Sequence, residues 1–275
     1  MKRLSLTLLL ALAVLGAAAQ ARIETKKYKI ADFPDKVTKV VLSGNEMNDV
    51  LLRQAVSERW SLSPFEFCGA AEFQTLCKSD QYYFLLIADG DDHLSHLTLV
   101  KGGAGAEKGL SAMLQVVSVP FSQAGGPTAE AFVFLPAFLD LIQAYVPKAI
   151  EKDRNAYAGI SILLAPKSRQ HPKRICLSRS DLSPKLEQAQ LDKYANETLL
   201  IEEAGEAARC FAEEIPDMLV GYVIAPADAV PGADSYRLLI DAGTHDTGLD
   251  SSSCDQFTYL SGFLGLGQFV FDSER

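Results

Sequence analysis

The amino-acid sequence predicts an α/β to α+β fold with a mixed sheet, in which parallel βαβ units fill the first half and antiparallel hairpins come later. Apolar and β-branched runs at 37–43, 65–68 and 82–88 alternate with segments of helical spacing, as they do in βαβ units. The run at 82–88 (YYFLLIA) has almost no polar alternation, which is typical of a strand covered on both faces. Turn-forming Asp, Gly and Pro residues separate the later apolar runs and favour hairpins between them.

The first helix is predicted directly after the first strand. The run 37–43 (VTKVVLS) lies between Pro34 and Gly44, which bound it as a strand. The side chain of Asn45 can accept a hydrogen bond from the first helical turn, so we expect it to be the N-cap of a helix over 45–60. The spacing predicts that the buried stripe of this helix contains Met47, Val50, Leu51, Ala55 and Val56.

Turns and two prolines divide the middle of the chain. The sequence DGDD at 89–92 predicts a turn that leads into an antiparallel strand at 94–100, and a further strand follows after a glycine-rich break. The apolar segment 128–152 predicts a long helix. Pro136 and Pro147 are expected to kink or break it, because proline removes a backbone donor.

The second half of the chain predicts more strands and one charged helical region. Strands are expected at 159–165 and 174–177, and a hairpin is expected between 219–225 and 236–241. The charged region from 184 to 215 is predicted to be helical with interruptions, with its apolar residues, including Leu199 and Leu200, beneath a wet acidic face. The sequence indicates no internal repeat.

The N-terminus has the order of charged and apolar residues found in secretory signal peptides. Lys2 and Arg3 precede an apolar run from Leu4 to Leu15, and small residues follow as far as Ala21. The apolar run is shorter than the ~20 residues of a membrane-spanning helix. We therefore expect cleavage after Ala21, a periplasmic or secreted product, and no transmembrane segment once the leader is removed.

These features divide the chain into three parts. Residues 1–21 are predicted to be a signal peptide, 22–246 a single α/β domain, and 247–275 an aromatic, glycine-containing tail. The polar segment 152–157 is a candidate sub-boundary within the domain, because it follows the long helix. The tail predicts either a final pair of strands or an exposed segment that needs a partner.

The acidic composition argues against nucleic acid as a partner. The chain has 35 acidic and 26 basic residues, a formal net charge of −9, and loss of the leader would remove two of the cations. An acidic protein is repelled by nucleic-acid phosphates and by anionic lipid head groups. We therefore expect a partner other than nucleic acid, and the sequence leaves the oligomeric state open.

Five cysteines place a further constraint on an exported chain. An odd number leaves at least one thiol unpaired in an oxidising compartment. The pairing stays open: Cys68 and Cys77 flank one short helix and would allow a local bridge, whereas buried free thiols fit the pattern equally well. The other cysteines are Cys176, Cys210 and Cys254.

Several segments resemble a family of exported bacterial α/β proteins of unknown function. The similar segments are PFEFC, YYFLLI, LTLVKGG, FVFLPAFLDLIQAY and YRLLIDAGTHD, and the likeness extends from about residue 37 to residue 246. The resemblance implies export and one α/β unit, and it implies no activity. Members of that family continue beyond the THD position with an aromatic and basic strand, and the tail of this chain departs from that pattern.

Asp89, Asp91 and His93 are candidates for a metal site, because carboxylate and imidazole groups are ligands of divalent ions. His93 and His96 lie three residues apart where a turn enters a strand, so their side chains are expected on opposite faces. The segment therefore favours a solvated hairpin turn, and we expect no metal ion and no cofactor. The glycine-rich segment 101–109 lacks the spacing of a P-loop or of a dinucleotide-binding motif and predicts a flexible loop.

Asp241, His245 and Asp246 are candidates for catalysis. They lie at the end of a predicted strand, where α/β proteins often present catalytic groups, and His245 with either carboxylate could form an acid–base pair. The sequence assigns no nucleophile to this pair, because the nearest serine pattern, at 159–163, lacks the second glycine of a nucleophile elbow. Whether the chain is an enzyme stays open, and the sequence favours a non-catalytic role.

The leading hypothesis is therefore an exported soluble protein that acts as a non-catalytic envelope or secreted interaction protein. The tail at 247–275 is the expected contact with a protein partner. Two alternatives stay open. One is an exported hydrolase with a site near His245, and the other is a periplasmic small-molecule binding domain, which a two-lobe division near residue 155 would favour.

Overall fold

The computed structural model describes residues 27–153, 155, 174–179, 199–203, 205–226, 236–243 and 258–259. The predicted signal peptide at 1–21, the predicted strand at 159–165 and most of the tail lie outside the described residues. The predicted helical region between 184 and 198 lies outside them as well. The same holds for two of the catalytic candidates, His245 and Asp246, and for Cys254.

The first unit, residues 27–151, contains a five-stranded mixed sheet. Its helices and strands in chain order are α1 (Lys27–Ile30), β1 (Val37–Val41), α2 (Glu46–Arg59), β2 (Phe65–Cys68), α3 (Ala70–Leu76), β3 (Tyr82–Asp89), β4 (Leu94–Lys101), β5 (Leu114–Gln123), α4 (Ala129–Val133) and α5 (Leu135–Glu151). The strand order is β2-β1-β3-β4-β5, and β1 is parallel to both β2 and β3. β4 is antiparallel to β3 and to β5.

The second unit contains a second five-stranded mixed sheet. Its helix and strands in chain order are β6 (Arg174–Ser178), β7 (Leu199–Glu202), α6 (Glu206–Ala212), β8 (Met218–Ile224), β9 (Tyr236–Asp241) and β10 (Thr258–Tyr259). The strand order is β7-β6-β8-β9-β10, and β6 is parallel to both β7 and β8. β9 is antiparallel to β8 and to β10. The predicted sub-boundary at 152–157 falls between the end of α5 and the start of β6.

The fold class is confirmed, because parallel βα pairings and antiparallel hairpins occur together in mixed sheets. The parallel-then-antiparallel order occurs once in each of two sheets. The predicted hairpin of the second half is present as β8 and β9. The prediction that residues 199 and 200 lie in a helix is wrong, because they belong to β7. The backbone N–H and C=O groups of β7 form hydrogen bonds with β6 in the sheet.

The two sheets have the same connectivity and the same register, which the sequence did not indicate. In the first sheet the first residue of β1, Val37, pairs with the first residue of β3, Tyr82; in the second, Arg174 pairs with Met218. The later strands agree too, because the last residue of β9, Asp241, pairs with the second residue of β8, as β4 pairs with β3. The structure therefore contains a topological repeat. The repeat is not visible in the sequence, because the pattern of buried positions specifies such a fold and the identities of the residues can differ between the two copies.

Helix α2 begins as predicted but buries a different face. Asn45 is its N-cap, and the Asn45 side chain accepts a hydrogen bond from the backbone N–H of Asn48 at 3.2 Å. The residues buried along α2 are Leu52, Ala55 and Val56. The prediction that Met47 and Val50 lie in the buried stripe is wrong: their exposed fractions are 65% and 55%. At 3.6 residues per turn, position 50 falls on the side of the helix opposite to position 52.

Helix α5 contributes much of the core of the first unit. The predicted helix over 128–152 is divided into α4 and α5 at Phe134, and Pro136 lies in the first turn of α5, where its missing N–H costs little. Pro147 lies inside α5, which continues beyond it. The buried residues of α5 are Leu135, Ala137, Phe138, Leu139, Leu141, Ile142, Gln143, Tyr145, Val146 and Ala149.

Aromatic rings join the two units. The ring of Phe134 stacks on Tyr222 of β8 with centroids 4.4 Å apart, and it contacts Phe211 of α6 at 5.1 Å. The Tyr222 hydroxyl donates a hydrogen bond to the backbone carbonyl of Phe121 in β5 at 2.7 Å. These side chains are all buried. The face of the second sheet that carries α6 therefore packs against the C-terminal part of the first unit.

Within the stretches of chain that the structure describes, no helix has both the length and the apolar composition that a membrane crossing takes.

Candidate functional site

The turn between β3 and β4 holds the metal-site candidates. Asp89 ends β3, and one of its carboxylate oxygens accepts a hydrogen bond from the buried hydroxyl of Ser95, while the other accepts one from the backbone N–H of Gly125 at 3.2 Å. Asp89 therefore fastens the hairpin to the loop after β5. Asp91 and His93 are exposed, and His93 has a left-handed backbone with φ 63°.

A second pair closes the same turn. The Nε2 atom of His96 lies 2.9 and 3.0 Å from the two carboxylate oxygens of Asp92, which also accepts a hydrogen bond from the backbone N–H of Leu94 at 3.3 Å. A Cβ at Gly90 would lie 2.6 Å from Asp92 Oδ1, so a side chain there would displace the Asp92 carboxylate from its contact with His96.

The two pairs do not combine into one reactive group. The Ser95 hydroxyl bonds to Asp89 and to the backbone carbonyl of Gln123, whereas the His96 ring bonds to Asp92. Asp89 with Ser95 and Asp92 with His96 are therefore separate contacts, and neither is a nucleophile–base–acid triad. Among the described residues, no three His, Cys, Asp or Glu side chains are placed to hold a metal ion together.

The glycine-rich segment after β4 packs against neighbouring backbone. The N–H of Gly102 donates to the carbonyl of Tyr82 at 2.9 Å, and the N–H of Gly103 donates to the carbonyl of Cys77 at 2.8 Å. A Cβ on Gly105 would overlap the carbonyl oxygen of Ala112. These glycines permit close approach of two chain segments, and at least two of their amides are already used inside the protein.

Of the catalytic candidates, only Asp241 lies within the described residues. It is buried, and its side chain accepts a hydrogen bond from the backbone N–H of Gly243 at 3.0 Å, which closes the turn after β9. Because β9 is antiparallel to β8, this turn lies beside Met218, where β8 begins. The expectation that Asp241 ends a strand is confirmed, but the edge is the amino end of the parallel strands, not the carboxyl end where ligands usually bind.

A buried lysine in β1 is a polar site that the sequence analysis missed. The ammonium group of Lys39 contacts Glu66 at 2.6 Å and Glu72 at 3.3 Å, and it lies 5.3 Å from the ring centroid of Tyr82. The hydrogen bond to Glu66 is the main cause that raises the pKa of Lys39. Burial, together with the Glu72 carboxylate, raises the pKa of Cys68. The group ties β1 to β2 and α3.

A second charged cluster fastens the N-terminal segment to the sheet. The Asp32 carboxylate accepts hydrogen bonds from the Tyr83 hydroxyl at 2.6 Å and from Lys101 at 2.8 Å, and it pairs with Lys36 at 2.7 Å. Burial alone would raise the pKa of Asp32, but these three donors outweigh it and hold that pKa well below its usual range. Burial and the neighbouring carboxylate raise the pKa of Tyr83.

A third polar group joins the end of α2 to α5. The side-chain oxygen of Gln143 accepts hydrogen bonds from the backbone N–H and the hydroxyl of Ser61 at 2.8 and 3.0 Å. Its amide donates to the carbonyl of Arg59 at 2.9 Å. The Arg59 guanidinium lies 3.8 Å from the Asp140 carboxylate, yet burial prevails and raises the pKa of Asp140 to about 6.

The outer face of α2 is the apolar surface of the first unit. We define the α2 surface as Met47, Val50 and Arg53 of α2 with Phe67 of β2. Met47 and Val50 are exposed, and the guanidinium of Arg53 lies 4.6 Å from the ring centroid of Phe67. β2 is an edge strand of its sheet, so the surface continues from the helix to a sheet edge.

Comparison with known proteins gave no relative: no protein-family model, no curated protein and no solved structure matches this chain. The resemblance to a family of exported proteins therefore stays a prediction from the sequence.

Proposed function

We propose that this chain is exported and acts outside the cytosol as a non-catalytic protein that binds another protein. The leader pattern at 1–21 supports export, and the net charge of −9 supports a partner other than nucleic acid. The α2 surface is the observation that carries the proposal.

The composition of the α2 surface is that of a protein interface. Met, aromatic and Arg side chains are enriched in interfaces, and an unbranched Met adapts to the shape of a partner. Met47 and Val50 leave 65% and 55% of their surface in water, although three other residues of the same helix are fully engaged in the core. A partner that covers them would recover the free energy of burying two apolar side chains.

The contacts of the aspartates in the candidate sites support a non-catalytic role. Asp89 and Asp92 hold the β3–β4 turn, and Asp241 holds the turn after β9. Each therefore has a structural task that accounts for its position in the fold.

The alternatives receive less support from the described residues. A small-molecule binder would use a cleft between the two units, whereas Phe134, Phe211 and Tyr222 pack ring against ring where the described parts of the units meet. A hydrolase near His245 would draw on Asp241, which lies at the amino end of the parallel strands.

In-cell photo-cross-linking tests the proposal. A photoreactive amino acid at Val50 is expected to give one discrete adduct, which Met47→Glu abolishes. The same amino acid at Glu107, an exposed position in the loop after β4 and outside the α2 surface, is the matched control and is expected to give no such adduct. Adducts of equal intensity from both positions, or none from Val50, would contradict the α2 surface as the contact.

Two further variants separate the alternatives. Deletion of residues 260–275 retains β10 and tests the predicted role of the tail: loss of the Val50 adduct would show that the tail contributes to the contact. His245→Ala tests the hydrolase hypothesis, and loss of an extracellular hydrolytic activity in that variant would replace the present proposal with it.

A further inference from the structure

We propose that Cys176 and Cys210 form a disulfide that fastens α6 to β6, the strand between β7 and β8 in the second sheet. Cys176 lies in β6, Cys210 lies in α6, and their Sγ atoms are 3.9 Å apart. The inference rests on the proposed export, because disulfides persist in oxidising compartments and are rare in the cytosol.

The packing of α6 holds the two thiols together. The exposed fractions are 0% for Cys176 and 6% for Cys210, and Ala207 and Phe211 on the same side of α6 are buried as well. The helix therefore lies on the strand with Cys210 turned toward it. Formation of the bond would shorten the separation of the sulfur atoms from 3.9 Å to about 2.05 Å.

The first unit has a cross-link at the corresponding place. Lys39 and Cys176 occupy the same position, because each is the third residue of its strand and the two sheets share their register. Lys39 reaches Glu72 on α3, the helix that corresponds to α6. Each unit thus has a side-chain contact between its first strand and the corresponding helix, with an ion pair in the first unit and two thiols in the second.

The other described cysteines are placed differently. All four described cysteines are buried and free in the structure. The thiol of Cys77, for which the sequence allowed a local bridge to Cys68, donates to the backbone carbonyl of Gln74 at 3.5 Å. Cys176 and Cys210 are the pair whose sulfur atoms meet among the described cysteines.

The oxidant is a disulfide, either a small molecule or an exported thiol–disulfide oxidoreductase. One cysteine thiolate attacks a sulfur of that disulfide and forms a mixed disulfide, releasing the first thiolate of the oxidant. The second cysteine thiolate attacks the protein sulfur of the mixed disulfide and releases the other thiolate. The two cysteines lose two protons and two electrons, and the oxidant leaves as two thiols.

The burial of the pair determines when this reaction takes place. Burial, and then the neighbouring Cys210, raise the pKa of the Cys176 thiol to about 12, so the reactive thiolate is scarce in the folded, reduced protein. The bond therefore forms during folding, before α6 packs against β6. Folded protein in the reduced state is expected to react slowly with the oxidant, and unfolded protein is expected to react rapidly.

Oxidative refolding with peptide mapping tests the pairing without reference to the compartment. The purified chain is unfolded, reduced, refolded in a buffer of reduced and oxidised glutathione, blocked with an alkylating reagent and digested with trypsin. The expected product is peptide 175–179 linked to peptide 210–237, because trypsin cleaves after Arg174, Arg179, Arg209 and Arg237. Cys68→Ser, the matched control, is expected to retain this linked product, and Cys176→Ala is expected to lose it.

The stability of the second unit provides an independent readout. In the chain-entropy model, a bond between cysteines 34 positions apart lowers the unfolding equilibrium constant on the order of 500-fold. Oxidised wild type is expected to show this reduction relative to reduced wild type, and Cys176→Ala is expected to show no difference between oxidising and reducing buffer. Alkylated Cys176 and Cys210 after refolding, or linkage of either to another cysteine, would overturn the proposal.

The protein isolated from cells distinguishes this proposal from the proposed export. Linkage in both the refolded and the cellular protein supports both proposals. Linkage after refolding, with free thiols in cellular protein that retains residues 1–21, would contradict export and support the pairing. Free thiols after refolding, in a protein that has lost residues 1–21, would contradict the pairing and support export.

Discussion

Replacement of Asp140 by Asn is expected to stabilise the protein at neutral and alkaline pH. Burial raises the pKa of this carboxyl from 3.8 to about 6 in the folded protein, although Arg59 and Gln143 act in the opposite direction. The folded state therefore holds the proton more tightly than the unfolded chain, and the contribution of Asp140 to stability falls as pH rises from about 4 to about 6. A shift of about two pKa units corresponds to about 3 kcal/mol.

Urea denaturation at a series of pH values between 4 and 8 measures this effect. Asn has the shape of the protonated carboxyl but no charge, so Asp140→Asn is expected to match wild type at pH 4 and to exceed its free energy of unfolding by up to about 3 kcal/mol at pH 8. Asp91→Asn, in the exposed β3–β4 turn, controls for the change in net charge. A difference that is constant over the pH range, or a variant that becomes less stable than wild type as pH rises, would show that the contact with Arg59 outweighs burial.

Three further changes address other parts of the structure. Asp32→Asn is expected to destabilise the protein above pH 4, and this effect is expected to fade as pH falls below 4, because the pKa of Asp32 is depressed in the folded protein. Denaturation curves at acid and neutral pH measure the loss of stability. A loss that does not change with pH would contradict the depressed pKa. Gly105→Ala is expected to cost about 1–3 kcal/mol more than Gly109→Ala, because both glycines have positive φ but only position 105 abuts the backbone of Ala112; equal losses in urea denaturation would refute this. Phe134→Ala is expected to cost about 3–5 kcal/mol in the free energy of unfolding, since its ring fills the junction between the units, and a loss below about 1 kcal/mol would contradict that packing.

Local chemistry made some of the fold predictable. Asn45 is an N-cap because its side chain accepts a hydrogen bond from a backbone N–H of the first helical turn. Such a local contact can be predicted from a few neighbouring residues. The apolar run of β3 predicted a strand covered on both faces, and the turn after it followed from Asp and Gly. The helical spacing failed at Met47 and Val50, because these residues are apolar but lie on the side of α2 away from its buried residues.

Long-range pairing could not be predicted in the same way. The repeat is defined by registers such as Val37 with Tyr82 and Arg174 with Met218, which connect residues far apart in the chain. The cluster around Lys39 was missed for the same reason, since its partners Glu66 and Glu72 lie on two later elements. The sequence offered one usable sign, a lone lysine inside a β-branched strand.

The sequence predicted which polar residues lie in the β3–β4 turn, but it did not predict which of them contact one another. The sequence placed acidic and imidazole groups in the β3–β4 turn, but only folding shows that Asp92 pairs with His96 and that Asp89 reaches the loop at Gly125. The α2 surface was unexpected, because its apolar residues were assigned to the core.

The cellular location of the mature N-terminus is the decisive observation for an exported interaction protein. N-terminal sequencing of the chain recovered from periplasmic and extracellular fractions is expected to begin at Arg22, with the bulk of the protein in those fractions. Recovery from the cytosol of a chain that still begins at Met1 and carries residues 1–21 would contradict export, and with it the proposed binding role outside the cell.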